Sequence, residues 1–309
     1  MADLKQYDVV VIGAGPAGMT AATYAARAEL SVVMLDQGVY GGQMNNTAEV
    51  ENYPGFDSVM GPDLSEKMYS STTHAGAEYA FGTVESLEVV SDQEKIVHTD
   101  SGDFQAKAVI IATGSEHVHL GVPGEEEYQG RGISYCAVCD GAFFKNEDVA
   151  VIGGGDSAVE EGIYLANIAA SVTIIVRSDQ LKAQPVLQKR ARENDKIKFI
   201  WNTSVQQING NEEQVTDVDV INNQTQETGK LPFSGVFIYV GLRPNTEAFQ
   251  DLGITDDQGW IVTDDHMKTA IPGVFAVGDV RQKNLRQIVT AVGDGGLAGQ
   301  QAYDFISQI

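Results

Sequence analysis

The sequence is poor in cysteine, in proline and in basic side chains: 2 Cys and 8 Pro in 309 residues, and 20 Lys and Arg against 43 Asp and Glu. Two cysteines can make neither a disulfide framework nor a four-cysteine zinc site. Five scattered histidines, with His117 and His119 the only close pair, add no ligand set, so no metal is expected. A formal charge of −23 repels phosphate backbones and anionic lipid, which excludes a chain-wide nucleic-acid or membrane-surface role but not a local basic pocket. No apolar run approaches the ~18–20 residues that span a bilayer, and Met1-Ala2-Asp3-Leu4 is not a charged-then-apolar leader. The chain is read as cytoplasmic. What is present is glycine, 33 residues of it, in a composition that is 43% hydrophobic. That describes a turn-rich globular chain, long enough for two domains.

One unit occurs twice. Tyr7 to Ile12 reads as a buried parallel strand, followed by the turn Gly13-Ala14-Gly15-Pro16-Ala17-Gly18 and an Ala-rich helix to about Glu29. The next strand, Ser31 to Leu35, is closed by Asp36. Further on, Asp148 to Ile152 is a strand, Gly153-Gly154-Gly155-Asp156-Ser157-Ala158 a turn, Val159 to Ala170 a helix and Val172 to Val176 a second strand. A lone glycine-rich turn is weak evidence, since such turns also arise for packing. Here each stands in the strand–turn–helix context that dinucleotide binding requires. The first Gly permits the tight turn, the second admits the pyrophosphate, and the third small residue, Gly18 or Ala158, lets helix and strand pack. The amides of the helix N-terminus then face the phosphates.

Asp36 lies 18 residues past Gly18, near the separation at which an acid accepts from a ribose hydroxyl, as in FAD. The second copy has Val176-Arg177-Ser178 there instead. Two apolar segments, Val109 to Gly114 and Gly235 to Gly241, end in glycine late in each half; they are core strands or crossovers between domains. After Asn245 no third unit begins. The remainder, with Gly273 to Asp279, Leu285 to Ile288 and a helix from about Thr290 to Ile306, is too short to stand alone. It is expected to complete the first domain. The fold class is therefore α/β, two Rossmann-like nucleotide-binding domains with the second inserted into the first.

Cys136-Ala137-Val138-Cys139-Asp140 follows Ser134, a candidate helix N-cap. On a helix, i and i+3 lie roughly 5 Å apart in Cα, within disulfide range. Such a pair toggles between dithiol and disulfide with little backbone movement. Helix dipoles favour a thiolate at the N-terminal sulfur, so Cys136 is the expected nucleophile and Cys139 the inward-facing partner. Asp140 is either a proton shuttle for thiol–disulfide exchange or an ordinary solvated acid, one of the 43.

The ordered set of Gly13 to Gly18, Gly41-Gly42-Gln43, Glu51-Asn52-Tyr53-Pro54-Gly55, Cys136 to Asp140, Gly153 to Ala158 and Gly278-Asp279 resembles the low-molecular-weight bacterial thioredoxin reductases across essentially the whole chain. The resemblance implies an FAD-binding domain in two parts, 1–115 and 246–309, a nicotinamide-nucleotide domain over 116–245 that carries the cysteines, and a homodimer. It implies hydride transfer from NADPH to FAD and electrons onward to the disulfide, with Cys139 facing the flavin, Cys136 attacking thioredoxin and Asp140 moving the proton. It carries cofactor contacts onto Gln37, Gly42, Gln43, Asn52, Ala112, Thr113 and Gly114. Asp279 would hold the ribityl chain, and Arg286, Gln287 and Ile288 would lie along the flavin ring. Gly153, Gly155, Asp156, Ser157, Ala158, Arg177, Lys182 and Gly241 would serve the nicotinamide nucleotide. The family also rotates one domain against the other, here about Gly114 to Val118 and Gly241 to Asn245.

One stretch departs from the family pattern. Where a His-Arg-Arg cluster and a later Arg clamp the 2′-phosphate of NADPH, this chain reads Val176-Arg177-Ser178-Asp179-Gln180-Leu181-Lys182. Lys lacks the planar fork of Arg, so weakened discrimination is expected, with NADH as a second donor. Lys189, Arg190 and Arg192 either compensate or form a solvated helix face. Phe143 and Phe144 form a docking rim for thioredoxin or belong to the core. Two other functions fit the two turns less well. A flavoprotein reductase of ferredoxin or flavodoxin has no use for the cysteine pair, and a dithiol oxidase has no use for the second turn.

Overall fold

The computed structural model describes residues 4–47 and 49–308; Met1 to Asp3, read above as lacking a leader, lie outside the described residues. The chain forms two compact units, Met1–Glu116 with Arg243–Ile309, and His117–Leu242. Unit 1 begins with strand β1 (Lys5–Ile12), helix α1 (Pro16–Arg27) and β2 (Val32–Asp36). A small hairpin, β3 (Glu49–Val50) and β4 (Val59–Met60), precedes α2 (Gly61–His74), β5 (Glu78–Phe81), β6 (Val84–Ser91), β7 (Glu94–Thr99), β8 (Phe104–Ile111) and β9 (Ser115–His117).

Unit 2 runs through β10 (Ile133–Ser134), α3 (Ala137–Asp140), β11 (Asp148–Ile152), α4 (Asp156–Ala166), β12 (Ser171–Ile175), α5 (Pro185–Arg192) and β13 (Ile197–Ile200). It continues with β14 (Thr203–Gly210), β15 (Val215–Asn222), β16 (Thr228–Pro232) and β17 (Gly235–Ile238). The strand β18 (Leu242–Pro244) then leads back to unit 1, which ends with β19 (Val274–Ala276) and α6 (Ile288–Ile306).

Each unit is built on parallel strands with helices on one face; antiparallel strands continue the same sheet in unit 1 and form a separate sheet in unit 2. In unit 1 the order is β5-β2-β1-β8-β7-β6; β8 pairs in parallel with β1, then with β19 through its last residues. Period-two alternation divides β1 between two cores. Val9 and Val11 pack with α1, α2 and α6, and Val10 and Ile12 with Leu87, Val97, Phe249 and Ile261 on the opposite face. Because both faces are covered there, the second half of the strand, Val9 to Ile12, reads as an unbroken apolar run. In unit 2 the sheet is β10-β17-β11-β12-β13, all parallel, and the β14-β15-β16 meander lies on one face, burying Val205, Ile208 and Val218 against Ala150 and Ile152. Val149, Val151 and Ile174 bury the other face with α4.

The alanines of α1 have a specific use. A Cβ on Gly295 of α6 would meet the carbonyl oxygen of Ala17 at 2.2 Å, and one on Gly299 that of Ala21 at 2.5 Å. Small residues on both helices let the backbones approach, which brings the residues before α6 to the N-terminal end of α1. A Cβ on Gly278 would meet that of Ala17 at 2.8 Å.

Candidate active site

Cys136 and Cys139 are disulfide-bonded, with Cα atoms 5.4 Å apart. The helix that carries them is a single turn, and its N-cap is Cys136 itself, whose sulfur accepts the Cys139 N–H at 3.1 Å. Ser134, expected as the cap, instead braces the approach: its hydroxyl accepts the Cys136 N–H at 3.0 Å and donates to the Cys136 carbonyl at 3.1 Å. Cys139 is exposed and Cys136 half-buried, because the inner side of the short helix is taken by Ala137 and Gly141, and a Cβ on Gly141 would already touch Leu165 of α4 at 3.1 Å. Asp140 follows, half-buried. The two phenylalanines divide: Phe144 packs edge-on against Phe237, whereas Phe143 is 81% exposed.

The first glycine-rich turn is tight for backbone reasons. Gly13 has φ +107, and a Cβ there would meet the Ala112 carbonyl oxygen at 2.3 Å. Gly15 caps α1 with open space at its Cα, and Pro16 opens the helix. Asp36 grips the turn: one oxygen accepts the Ala14 N–H at 2.7 Å and the other the Gly38 N–H at 2.9 Å, beside the exposed Gln37. Gly41 donates to the Ala14 carbonyl at 2.7 Å and Gly42 lies over Gly15, which brings Gln43 alongside, its amide on the Ser115 carbonyl at 3.4 Å. Asn52 donates to the Gln287 side chain at 2.9 Å. Thr113 donates to the Asn245 carbonyl at 2.6 Å, next to Gly114 at φ +70.

Asp279 follows Gly278 at the same end of α1. Its Oδ1 is buried with no hydrogen-bond partner among the described residues, and burial pushes the carboxyl up despite Lys283 and Arg286 nearby. Arg286 donates to the Asp279 carbonyl at 3.3 Å, with its guanidinium 3.5 Å above the Trp260 ring. Gln287 and Thr290 form a capping box on α6, which starts at Ile288.

The second turn repeats the device. Gly153 has φ +146 and a Cβ there would meet the Tyr239 carbonyl oxygen at 2.2 Å; Gly155 caps α4. Asp156 is held by Gln184, whose backbone and side-chain N–H groups reach its two oxygens at 2.7 and 2.8 Å, while Ser157 is exposed and Ala158 buried. Lys182 is tied to the turn through its backbone, donating to the Gly154 carbonyl at 2.7 Å, and its side chain is exposed like that of Arg177. Val176 is buried under Gly154. Gly241, at φ +149, accepts the Val118 N–H at 3.0 Å.

Residues 7–295 match the pyridine nucleotide-disulphide oxidoreductase family. The chain belongs to that family. Within it, the chain is 58% identical over 306 residues to the thioredoxin reductase of Listeria monocytogenes, covering 99% of this chain and 95% of that one. It is 51% identical to the thioredoxin reductase of Bacillus subtilis, covering 100% and 98%. The crystal structure of Lactococcus lactis thioredoxin reductase in its FR conformation superposes with a TM-score of 0.97 at 55% identity, covering 98% of this chain and 100% of that one. For an oxidoreductase of this family the disulfide and the two turns are the expected hardware, and the low-molecular-weight thioredoxin reductases are the branch this chain falls in.

Several residues in these sites had no signal in the sequence. Asp294 receives the Gly278 N–H at 3.0 Å and pairs with Arg281 at 3.0 Å and Lys283 at 2.8 Å, fixing the Gly278-Asp279 segment from within α6. Trp260 backs Arg286 from 26 positions away. Tyr239 reaches the redox helix from 100 positions beyond Cys139. All are isolated residues brought in by tertiary packing, and no local pattern marks them.

Proposed function

We propose that this chain is a thioredoxin reductase that takes electrons from NADPH through FAD to the Cys136–Cys139 disulfide and on to the disulfide of thioredoxin. The observation that carries the reading is a closed redox pair in the unit that also holds the second glycine-rich turn. The residues of unit 1 fit FAD. Gly13, Gly15, Pro16, Ala17 and Gly18 offer the α1 N-terminus to a pyrophosphate, and each Asp36 oxygen, having accepted one N–H, keeps a lone pair for a ribose hydroxyl. The buried, unpartnered Asp279 Oδ1 is an acceptor aimed at a hydroxyl-bearing chain. Gln37, Gly42, Gln43, Asn52, Ala112, Thr113, Gly114, Gly278, Arg286, Gln287 and Ile288 complete this site, and Gly153, Gly155, Asp156, Ser157, Ala158, Arg177, Lys182 and Gly241 receive NADPH. When bound, FAD accepts hydride from NADPH and supplies an electron pair to a disulfide, chemistry that protein side chains lack.

The chain's own residues do the thiol exchange. In the dithiol, Cys136 sits at an N-cap with an N–H donated to its sulfur, which favours its thiolate. That thiolate attacks thioredoxin's disulfide, forming a mixed disulfide and freeing one thioredoxin thiolate. Cys139 then attacks Cys136, restoring the internal bond and freeing the second. Asp140, beside Cys139, handles the protons. Phe143, exposed next to the pair, is the apolar contact offered to thioredoxin.

A homodimer gains support from Tyr24, Leu297 and Tyr303, large side chains left exposed on α1 and α6. The cytoplasm suits a pathway that keeps thiols reduced. The test is reduction of a thioredoxin disulfide by purified protein, by Cys136→Ser and by Cys139→Ser, each with NADPH and with NADH. Turnover should need flavin and both sulfurs; persistent turnover by either variant overturns the reading.

A further inference from the structure

Tyr239 stands just past β17 and touches both pieces of functional hardware in unit 2. Its backbone belongs to the nucleotide turn: its N–H donates to the Ile152 carbonyl at 2.8 Å, and its own carbonyl occupies the space a Cβ on Gly153 would need. Its side chain belongs to the redox helix. The phenol is buried, and its oxygen accepts the Ala137 N–H at 3.0 Å. Ala137 is the first residue of α3, so its amide is one that no intrahelical bond can satisfy. The ring is further held by His117, edge-on at 5.4 Å. Burial pushes the phenol up, reinforced in the alkaline range where it would ionise by the carboxylates of Glu161 on α4 and of Asp140, so it stays neutral at working pH.

We propose that Tyr239 is a positioning residue for the redox disulfide: its hydroxyl pins the start of the one-turn helix, holding Cys136 and Cys139 where they close, and thereby sets how readily the disulfide is reduced. The proposal rests on that pair being the working redox couple. A four-residue helix has little stability of its own, so a single buried bond at its first amide decides how much order is in place before the sulfurs meet. Preorganised thiols have a high effective concentration for each other, which favours the disulfide. Without the hydroxyl the Ala137 N–H is buried and unpaired, the turn loosens, and the dithiol gains.

The experiment is equilibration of the flavin-loaded protein in glutathione buffers without NADPH or thioredoxin. Two glutathione thiols give one glutathione disulfide and the protein dithiol, and the thiols at Cys136 and Cys139 are counted by alkylation and mass. Tyr239→Phe is compared with Tyr135→Phe, whose hydroxyl bonds Glu125 at 2.6 Å and His119 at 2.8 Å rather than the helix backbone. The expected result is a shift of the equilibrium constant toward dithiol by about threefold or more in Tyr239→Phe and less than this in Tyr135→Phe. A smaller shift, a shift toward disulfide, or an equal shift in both variants overturns the proposal. If Tyr239→Phe does not fold, amide exchange on the wild type decides instead: Ala137 N–H should be protected in both redox states, and an unprotected Ala137 in either overturns it. A wild-type pair that does not titrate reversibly overturns the proposed function and this inference with it.

Discussion

The turns at Gly13 and Gly153 are alike where backbone meets backbone and different where a nucleotide is chosen. In each, a carbonyl from a neighbouring crossing segment, that of Ala112 or of Tyr239, fills the place a first-glycine Cβ would need. They part at the third small residue: a Cβ on Gly18 would lie 1.9 Å from the Gly13 carbonyl oxygen, whereas unit 2 holds the Cβ of Ala158. They part again at the end of the second strand, where Asp36 accepts the Ala14 amide of its turn and the Gly38 amide beyond it, and Val176 is simply buried. On the proposed function, the turn is a generic phosphate cradle and selectivity is written a strand later, in residues free to vary without disturbing it.

The sharpest contrast is chemical, since the one cysteine pair lies in unit 2. Cys136→Ser and Cys139→Ser should lower thioredoxin reduction by a factor on the order of a thousand or more while NADPH still bleaches the flavin, a two-assay comparison in one cuvette. Next come the first glycines. Gly13→Ala and Gly153→Ala each force a side chain onto a positive-φ residue against a carbonyl, a strain of roughly 1–3 kcal/mol. The first should yield a chain that purifies without yellow colour. The second should stay yellow with KM for NADPH raised about tenfold or more. Colour lost in both would erase the distinction between the turns.

A smaller effect tests the strand end. With Val176 buried and Ser178 and Lys182 in the clamp positions, the ratio of kcat/KM for NADPH over NADH should stay below about a hundredfold, ~2.7 kcal/mol. Ser178→Arg with Lys182→Arg should raise it about tenfold. A wild-type ratio above that bound sinks the account of the clamp.

The smallest effect compares Glu161 on α4 with Ala21 at the matching place on α1, fully buried. Burial, reinforced by Glu160, pushes the Glu161 carboxyl from 4.5 up to about 8. Between those values the folded chain keeps a proton that the unfolded chain releases, so stability falls as pH rises through that window. Unfolding free energies from denaturant titrations at pH 5 and pH 8 should differ less in Glu161→Gln than in the wild type, by about 1–2 kcal/mol, partial solvent access limiting the size. Equal pH dependence in the two proteins would remove the effect.

Much of this was legible in the sequence because it is local. Glycine-rich turns between an apolar strand and an Ala-rich helix declare their geometry within a dozen residues, and a CxxC spacing fits a disulfide on any helical turn. Errors came where one residue's environment is set from elsewhere. Ser134 has the chemistry of an N-cap, yet the turn starts at Cys136, whose own sulfur accepts the Cys139 N–H. Trp260 under Arg286 and Asp294 behind Gly278 are single residues, and nothing in their neighbourhoods marks them.

The sequence by itself determined that two nucleotide turns and one redox pair exist, since short-range sterics and periodicity dictate both. Only the tertiary structure decided which sulfur is exposed, which carboxylate oxygen is left without a partner and which tyrosine holds the redox helix. Those depend on contacts between residues far apart in the chain, and burial and hydrogen bonding acquire their energies only when such residues meet.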